Sequence, residues 1–156
     1  MTKTNAMRLL DQAKIAYRAA EYPFDARDLN GMYAAAGIGM PPEQVFKTLV
    51  ARGDKRGVAV YCIPVCCGLD LRKAAQAARD KKMELVPVKE LPGLTGYIRG
   101  GCSPVGMKKQ FPTFLEETAQ LYSEIAVSAG QRGCQLILSP QDLAAYTGAA
   151  LCDLTE

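Results

Sequence analysis

The chain has 156 residues, of which 49% are hydrophobic and 22% charged, enough to bury one core and too apolar for a disordered protein. It has no histidine, which excludes Ser-His-Asp and Cys-His nucleophile pairs, HExxH metalloproteases and zinc deaminases with a histidine ligand. The net charge of +3 hides a division: residues 47–109 hold thirteen Lys and Arg against five Asp and Glu, while the rest holds six against eleven.

Ala6, Leu9, Leu10 and Ala13 fall at i, i+3, i+4 and i+7, predicting an amphipathic helix with Arg8, Asp11 and Gln12 outward. A short strand over Tyr17 to Tyr22, ended by Pro23, comes next. A short helix over Leu29 to Gly37 then meets the break Gly39-Met40-Pro41-Pro42, and Pro42-Glu43-Gln44 suits a new helical turn. Val45 to Ala51 and Val58 to Val65 are apolar runs around a Gly/Asp turn, which predicts a hairpin. Asp70 is a good N-cap for a helix with Leu71, Ala74, Ala75 and Ala78 inward. Met83 to Val86 and Tyr97 to Arg99 are predicted strands, with a helix or turn over Val88 to Leu94 between them. Ile125 to Ser128 and Gln135 to Leu138 form a second hairpin, Gln141 to Tyr146 a last helix begun by Ser139-Pro140, and Ala149 to Leu154 a closing strand. Irregular alternation with adjacent hairpins gives one α+β domain over 1–156, with an antiparallel or mixed sheet.

The longest uncharged apolar run, Val58 to Leu69, has twelve residues with Pro64 inside it, short of the roughly 20 that span a bilayer. No signal-peptide pattern opens the chain, so a cytoplasmic protein away from membranes is expected. The six cysteines contain no CxxC pair and are read as reduced thiols, without a metal site or redox motif. If the fold gathers the basic middle of the chain on one face, that face attracts a polyanion such as RNA; otherwise it is ordinary solvated surface.

Three features carry chemistry. Lys47 has apolar neighbours in Val45-Phe46-Lys47-Thr48-Leu49-Val50 whichever strand face is inward. Its ammonium is either partly desolvated at the lip of a cavity or an edge lysine reaching water. Gly100-Gly101-Cys102-Ser103-Pro104-Val105-Gly106 is a tight loop whose N–H groups suit a carbonyl or a phosphate. Ser128 precedes the turn Gly130-Gln131-Arg132-Gly133, which suits a hydroxyl facing a cavity or an ordinary hairpin.

Val45-Phe46-Lys47-Thr48-Leu49, the run from Gly96 to Lys109 and the run from Val127 to Gly133 together resemble the YbaK/EbsC family, in the same order and at similar intervals. The opening Thr4-Asn5-Ala6-Met7-Arg8-Leu9-Leu10 and the closing helix and strand extend the likeness to the whole chain. The resemblance implies a freestanding relative of the prolyl-tRNA synthetase editing domain: a single mixed, mostly antiparallel sheet partly curled into a barrel, with helices around it. It implies a trans-editing deacylase that hydrolyses Cys-tRNA(Pro), with the substrate thiol attacking its own ester and no cofactor. The family's essential lysine matches Lys47, its GxxxP loop Gly100 to Pro104, its serine Ser128 and its first-strand tyrosine Tyr22. Gly100, Gly101, Thr48 and Ser103, inside the matched motifs, are carried with them as substrate-binding residues. Gln135 stands where some members have an aspartate, and residues 28–37 align poorly with the family's aromatic, which leaves cysteine, alanine and serine open as the amino acid. The implied partners are the 3' end of a mischarged tRNA and a prolyl-tRNA synthetase. A non-catalytic module that binds tRNA or the synthetase is the remaining alternative.

Overall fold

Thr4 accepts the Met7 amide at 3.2 Å and starts the first helix, α1 (Asn5–Gln12), as the spacing predicts. The computed structural model describes residues 2–156. After β1 (Tyr17–Glu21), the Asn30 side chain caps α2 (Gly31–Ile38), so this helix begins two residues later than expected and ends on Gly39 in the left-handed region. Pro42–Gln44 forms a 3-10 turn. The predicted hairpin is β2 (Phe46–Gly53) and β3 (Val58–Pro64), followed by α3 (Leu71–Ala78) under its Asp70 cap and by β4 (Met83–Leu85). A 3-10 turn at Val88–Glu90 leads into α4 (Leu91–Thr95).

Tyr97 to Arg99, expected as a strand, joins no sheet among the described residues. The Tyr97 hydroxyl instead donates to Val105 O at 2.6 Å, which folds the segment back as a loop. The strand β5 (Thr113–Glu116) was not foreseen, because four residues after a proline carry too little alternation. A 3-10 turn at Glu117–Leu121 precedes β6 (Ile125–Ser128); β7 (Cys134–Leu138), α5 (Pro140–Thr147) and β8 (Ala150–Cys152) complete the chain.

The strands form two sheets, β1-β7-β6 and β4-β2-β3-β5-β8. Four of the six strand pairs are antiparallel; β3-β5 and β5-β8 are parallel. The expected barrel is not found. A single parallel bridge, Val45 to Ala126, is the only ladder contact between the sheets among the described residues, and no ladder between β2 and β6 continues from it, so the ring is not closed. Gln44 Nε2 adds a side-chain tie, donating to Glu124 O at 2.9 Å.

The main core lies between the sheets, where Phe46, Val50, Val60 and Cys62 meet Ile125, Val127, Leu136 and Leu138, with α1 and α5 closing the ends. A second core under α3 gathers Ala51, Ala59, Tyr61, Ile63 and Leu154 on the other face of the five-stranded sheet. A third, smaller one packs Ala35 of α2 over Val45, Val65, Ala126 and Ile137. No helix among the described residues is long and apolar enough to cross a membrane.

Asp80 holds the β2–β3 turn: its carboxylate accepts the Arg56 amide at 2.7 Å and the Lys55 amide at 3.1 Å. Hydrogen bonds from these amides keep its pKa below the usual carboxylate range. A depressed folded pKa contributes stability that is present above the unfolded value of about 3.9 and is lost as pH falls through the folded value. Asp80→Asn is therefore expected to lower Tm at neutral pH and to shrink the fall in Tm below pH ~4, measured by thermal melts from pH 7 to pH 2.

Candidate active site

Lys47 sits where two helices leave a gap. On its side of β2, Val45 lies beneath α2 and Ala51 beneath α3, so the lysine between them is only half-buried. Its direct partner across the hairpin is Ile63, which is fully buried. Lys47 has no carboxylate within salt-bridge distance among the described residues, leaving the ammonium free for an anionic or carbonyl ligand.

The bridge from Val45 to Ala126 fixes what faces it. Two residues further along both strands, Lys47 and Ser128 lie on the same side of the junction. Lys47 and Ser128 therefore stand as two polar groups on one face, on either side of the junction between the sheets. Gln135 is paired with Ser128 across β6–β7 and with Ala20 across β1–β7, which puts Gln135 on that face too. Tyr22 follows on the same side, its amide bonded to Gly133 O at 2.9 Å.

Ser128 Oγ accepts the Gly130 amide at 3.1 Å, so its own proton remains available to donate. Gln135 is only 5% exposed, and its Oε1 has no hydrogen-bond partner among the described residues. A buried carbonyl left unpaired costs about 1–3 kcal/mol, a cost that a ligand donor removes.

The glycine loop packs against the turn after β6. A Cβ on Gly101 would stand 3.1 Å from Gln131 Cα and 3.2 Å from Arg132 N, so the close approach requires glycine. Arg132 Nε donates to Arg99 O at 2.9 Å across the same contact. Tyr97 pins both loops: its hydroxyl holds Val105 O, and its ring would meet a Cβ on Gly130 at 3.0 Å. Burial pushes the Tyr97 phenol up to about 12, so it remains a donor at neutral pH.

Two of the expected substrate contacts point elsewhere. Thr48 lies on the opposite face of β2, its Oγ1 3.8 Å from Cys62 Sγ, because strand alternation sends it away from Lys47. Ser103 is fully buried, and its Oγ accepts the Val105 amide at 3.2 Å within its own turn. The Gly101 N–H is likewise taken, by Ile98 O at 3.0 Å, whereas Gly100 is exposed with φ 87. The loop therefore offers Gly100, and not Gly101, as a donor to a ligand.

Tyr33 is a residue that sequence reasoning missed. It stands on α2 in edge-to-face contact with Tyr22, ring centroids 6.4 Å apart, and both line a narrow crevice with Asn30, Gly100 and Arg132. Gly37 allows α2 this close, since a Cβ there would meet Tyr22 Cβ at 2.8 Å. The signal was present in the spacing of Gly31, Tyr33 and Gly37, but only the packing of α2 onto β1 gives it meaning.

No buried thiol is poised as a nucleophile. Burial pushes Cys62 up to about 12 and Cys102 up to about 11. Cys67 is also raised, by burial first and by its Cys66 neighbour, with the Lys47 ammonium opposing the shift.

A larger cleft of about 590 Å³ lies at the far end of the β2–β3 hairpin, lined by Arg56, Lys108, Lys109 and Phe111. It is separated from Lys47 by the length of β2, about 17 Å at the rise of an extended strand.

Residues 32–146 match the family model of the aminoacyl-tRNA editing domain. A curated relative from Enterococcus faecalis, EbsC, carries the name of a Cys-tRNA(Pro)/Cys-tRNA(Cys) deacylase; it is 46% identical over 98% of this chain and 93% of its own length. A crystal structure described as a trans-editing enzyme for prolyl-tRNA synthetase superposes with TM-score 0.84 at 28% identity, over 100% of this chain and 99% of the other. The hypothetical protein APE2540 shares the fold, with TM-score 0.85 at 23% identity over 96% and 97% of the two chains. With a family model across most of the chain and a full-length relative of this identity, the chain belongs to the aminoacyl-tRNA editing domain family, in agreement with its YbaK/EbsC motifs.

Proposed function

We propose that the chain is a freestanding deacylase that hydrolyses the ester of mischarged Cys-tRNA(Pro). The reading is carried by the Lys47 ammonium, without an ion pair among the described residues, on the same face as Ser128 and Gln135 where the two sheets meet. The name of EbsC supports the same substrate class.

An aminoacyl ester is already activated, so the protein can act mainly by positioning, which supplies several kcal/mol through effective molarity. The cysteinyl sulfur attacks its own carbonyl carbon and forms a four-membered thiolactone. The ester C–O bond breaks and the thiol proton ends on the ribose oxygen of the tRNA. Water then opens the thiolactone to free cysteine. Lys47 binds the terminal phosphate or the aminoacyl carbonyl, Ser128 donates its hydroxyl, and Gly100 offers its N–H to the developing oxyanion. Gln135 Oε1 accepts from the α-ammonium or the ribose hydroxyl. Tyr22 and Tyr33 give the terminal adenine an aromatic wall. The cationic cleft of Arg56, Lys108 and Lys109 is suited to phosphates further along the acceptor arm. Such an enzyme works beside a prolyl-tRNA synthetase in the cytoplasm.

A second reading keeps the chemistry site and changes the amino acid to alanine or serine. The neutral Gln135 amide, at the position where the family resemblance gives some members an aspartate, is the feature that favours it. A panel of Cys-, Ala- and Ser-tRNA(Pro) separates the two by their kcat/KM values.

Gln135→Leu tests the amide. It removes a buried unpaired carbonyl while keeping the volume, so stability is expected to hold or to rise by about 1 kcal/mol, while KM for the aminoacyl-tRNA rises about tenfold or more. Unchanged KM with unchanged Tm would remove Gln135 from the site.

A further inference from the structure

Cys66 and Cys67 follow β3, just past Ile63, the hairpin partner of Lys47, and the deacylase reading leaves them without a task. In an extended strand, adjacent side chains point to opposite faces. Here the Cys67 amide donates to Pro64 O at 3.0 Å, closing a β-turn over Pro64–Cys67 that brings both side chains to one side. Their sulfurs are 3.9 Å apart. The turn is fastened on both flanks: Val65 N donates to Val45 O at 2.8 Å, and Glu156 N donates to Gly68 O at 3.1 Å. Cys66 is exposed and Cys67 half-exposed, unlike the buried Cys62, Cys102 and Cys134. Burial, the adjacent Cys66 thiol and Glu116 all raise the Cys67 pKa, and the Lys47 ammonium opposes them.

We propose that Cys66 and Cys67 form a vicinal dithiol site that closes reversibly to an intrachain disulfide by exchange with a low-molecular-weight disulfide, in the turn that follows Ile63, the hairpin partner of Lys47. The exposed Cys66 thiolate attacks one sulfur of the small disulfide, forming a mixed disulfide and expelling one small thiolate. Cys67, losing its proton to solvent in the step, then attacks the Cys66 sulfur and expels the second. Two protein thiols are oxidised, the small disulfide is reduced to two thiols, and the two protons end on those thiols. The sulfurs need to approach by about 2 Å to reach bonding distance, a movement within reach of side-chain rotation in a turn. Adjacent Cα atoms stand about 3.8 Å apart, below the usual spacing across a disulfide, so the ring is strained and readily reduced again. Closure reshapes the turn that follows Ile63, the hairpin partner of Lys47.

The test treats the full chain with oxidised glutathione, removes the reagent, and reads intact mass and mapped peptides. The expected wild-type product has lost two hydrogens, with Cys66 and Cys67 linked within one peptide, and dithiothreitol restores the starting mass. C67S is expected to stop with glutathione retained on Cys66, because the resolving thiol is missing. A wild-type protein that keeps glutathione on Cys66, or keeps both thiols free, would overturn the proposal. These readouts do not depend on the deacylase reading. A further measurement does rest on it: the oxidised, desalted wild-type protein should hydrolyse Cys-tRNA(Pro) several-fold more slowly than the reduced one, while the double variant C66S/C67S shows no change on the same treatment. Equal rates for oxidised and reduced wild-type protein, with hydrolysis otherwise intact, would overturn the coupling to Lys47.

Discussion

Lys47→Ala is expected to lower the rate of cysteine release from Cys-tRNA(Pro) roughly 100-fold or more while Tm stays within a few degrees of the wild type. The magnitude follows from losing one charged donor to the reacting ester in a site that relies on positioning. Stability should survive because Lys47 is half-buried, without an ion pair to break, and Ile63 and Val45 stay covered by the helices. Lys47→Arg keeps the charge but replaces a compact ammonium with a planar fork, so it should recover only part of the rate. Circular dichroism melts alongside single-turnover assays make the comparison. Full turnover by the alanine variant would remove the lysine from the mechanism.

The second large effect lies in the substrate. Replacing the cysteinyl sulfur with hydrogen, as in Ala-tRNA(Pro), is expected to slow enzymatic hydrolysis roughly 1,000-fold, because an intramolecular nucleophile at high effective molarity is lost. Ser-tRNA(Pro) should lie close to alanine, since a hydroxyl ionises far less than a thiol near neutral pH. Neither the buried thiols nor a histidine supplies a replacement: Cys62 and Cys102 are held protonated by burial, and the chain has no histidine. Comparable kcat/KM for the alanyl and cysteinyl esters would point to a water activated by the site and to the second reading.

The sequence made the elements legible where local chemistry decides them. Thr4, Asn30, Asp70 and Ser139 each cap a helix, and both hairpins stand where turn residues separate apolar runs. It was less informative where partners come from far along the chain. The strand Thr113–Glu116 exists because β3 and β8 flank it in parallel, a pairing that leaves no mark within four residues. Barrel closure depends on whether β2 and β6 continue past Val45 and Ala126, which no local pattern reports.

The site divides in the same way. Lys47 was identified from its motif, but its face became definite only through the Val45–Ala126 bridge. Thr48 and Ser103 share motifs with site residues, yet alternation turns one toward Cys62 and a local turn binds the other. Membership in a motif does not give the direction of a side chain. Tyr33 shows the converse, since it reaches the crevice through helix packing and not through a recognisable pattern. The basic excess over residues 47–109 is also partly spent within the chain: Arg52 pairs with Glu90, Lys73 with Asp153 and Lys82 with Glu84. Arg56, Lys108 and Lys109, without such partners among the described residues, line the cleft at the hairpin's far end.

The most direct measurement is the single-turnover release of labelled cysteine from Cys-tRNA(Pro) by the purified wild-type protein, against the same ester in buffer alone. An ester lifetime shortened by orders of magnitude, with correctly charged Pro-tRNA(Pro) left intact, is the predicted result. Cysteine released no faster than in buffer, by a protein that is folded and binds the tRNA, would contradict the account and leave a binding module in its place.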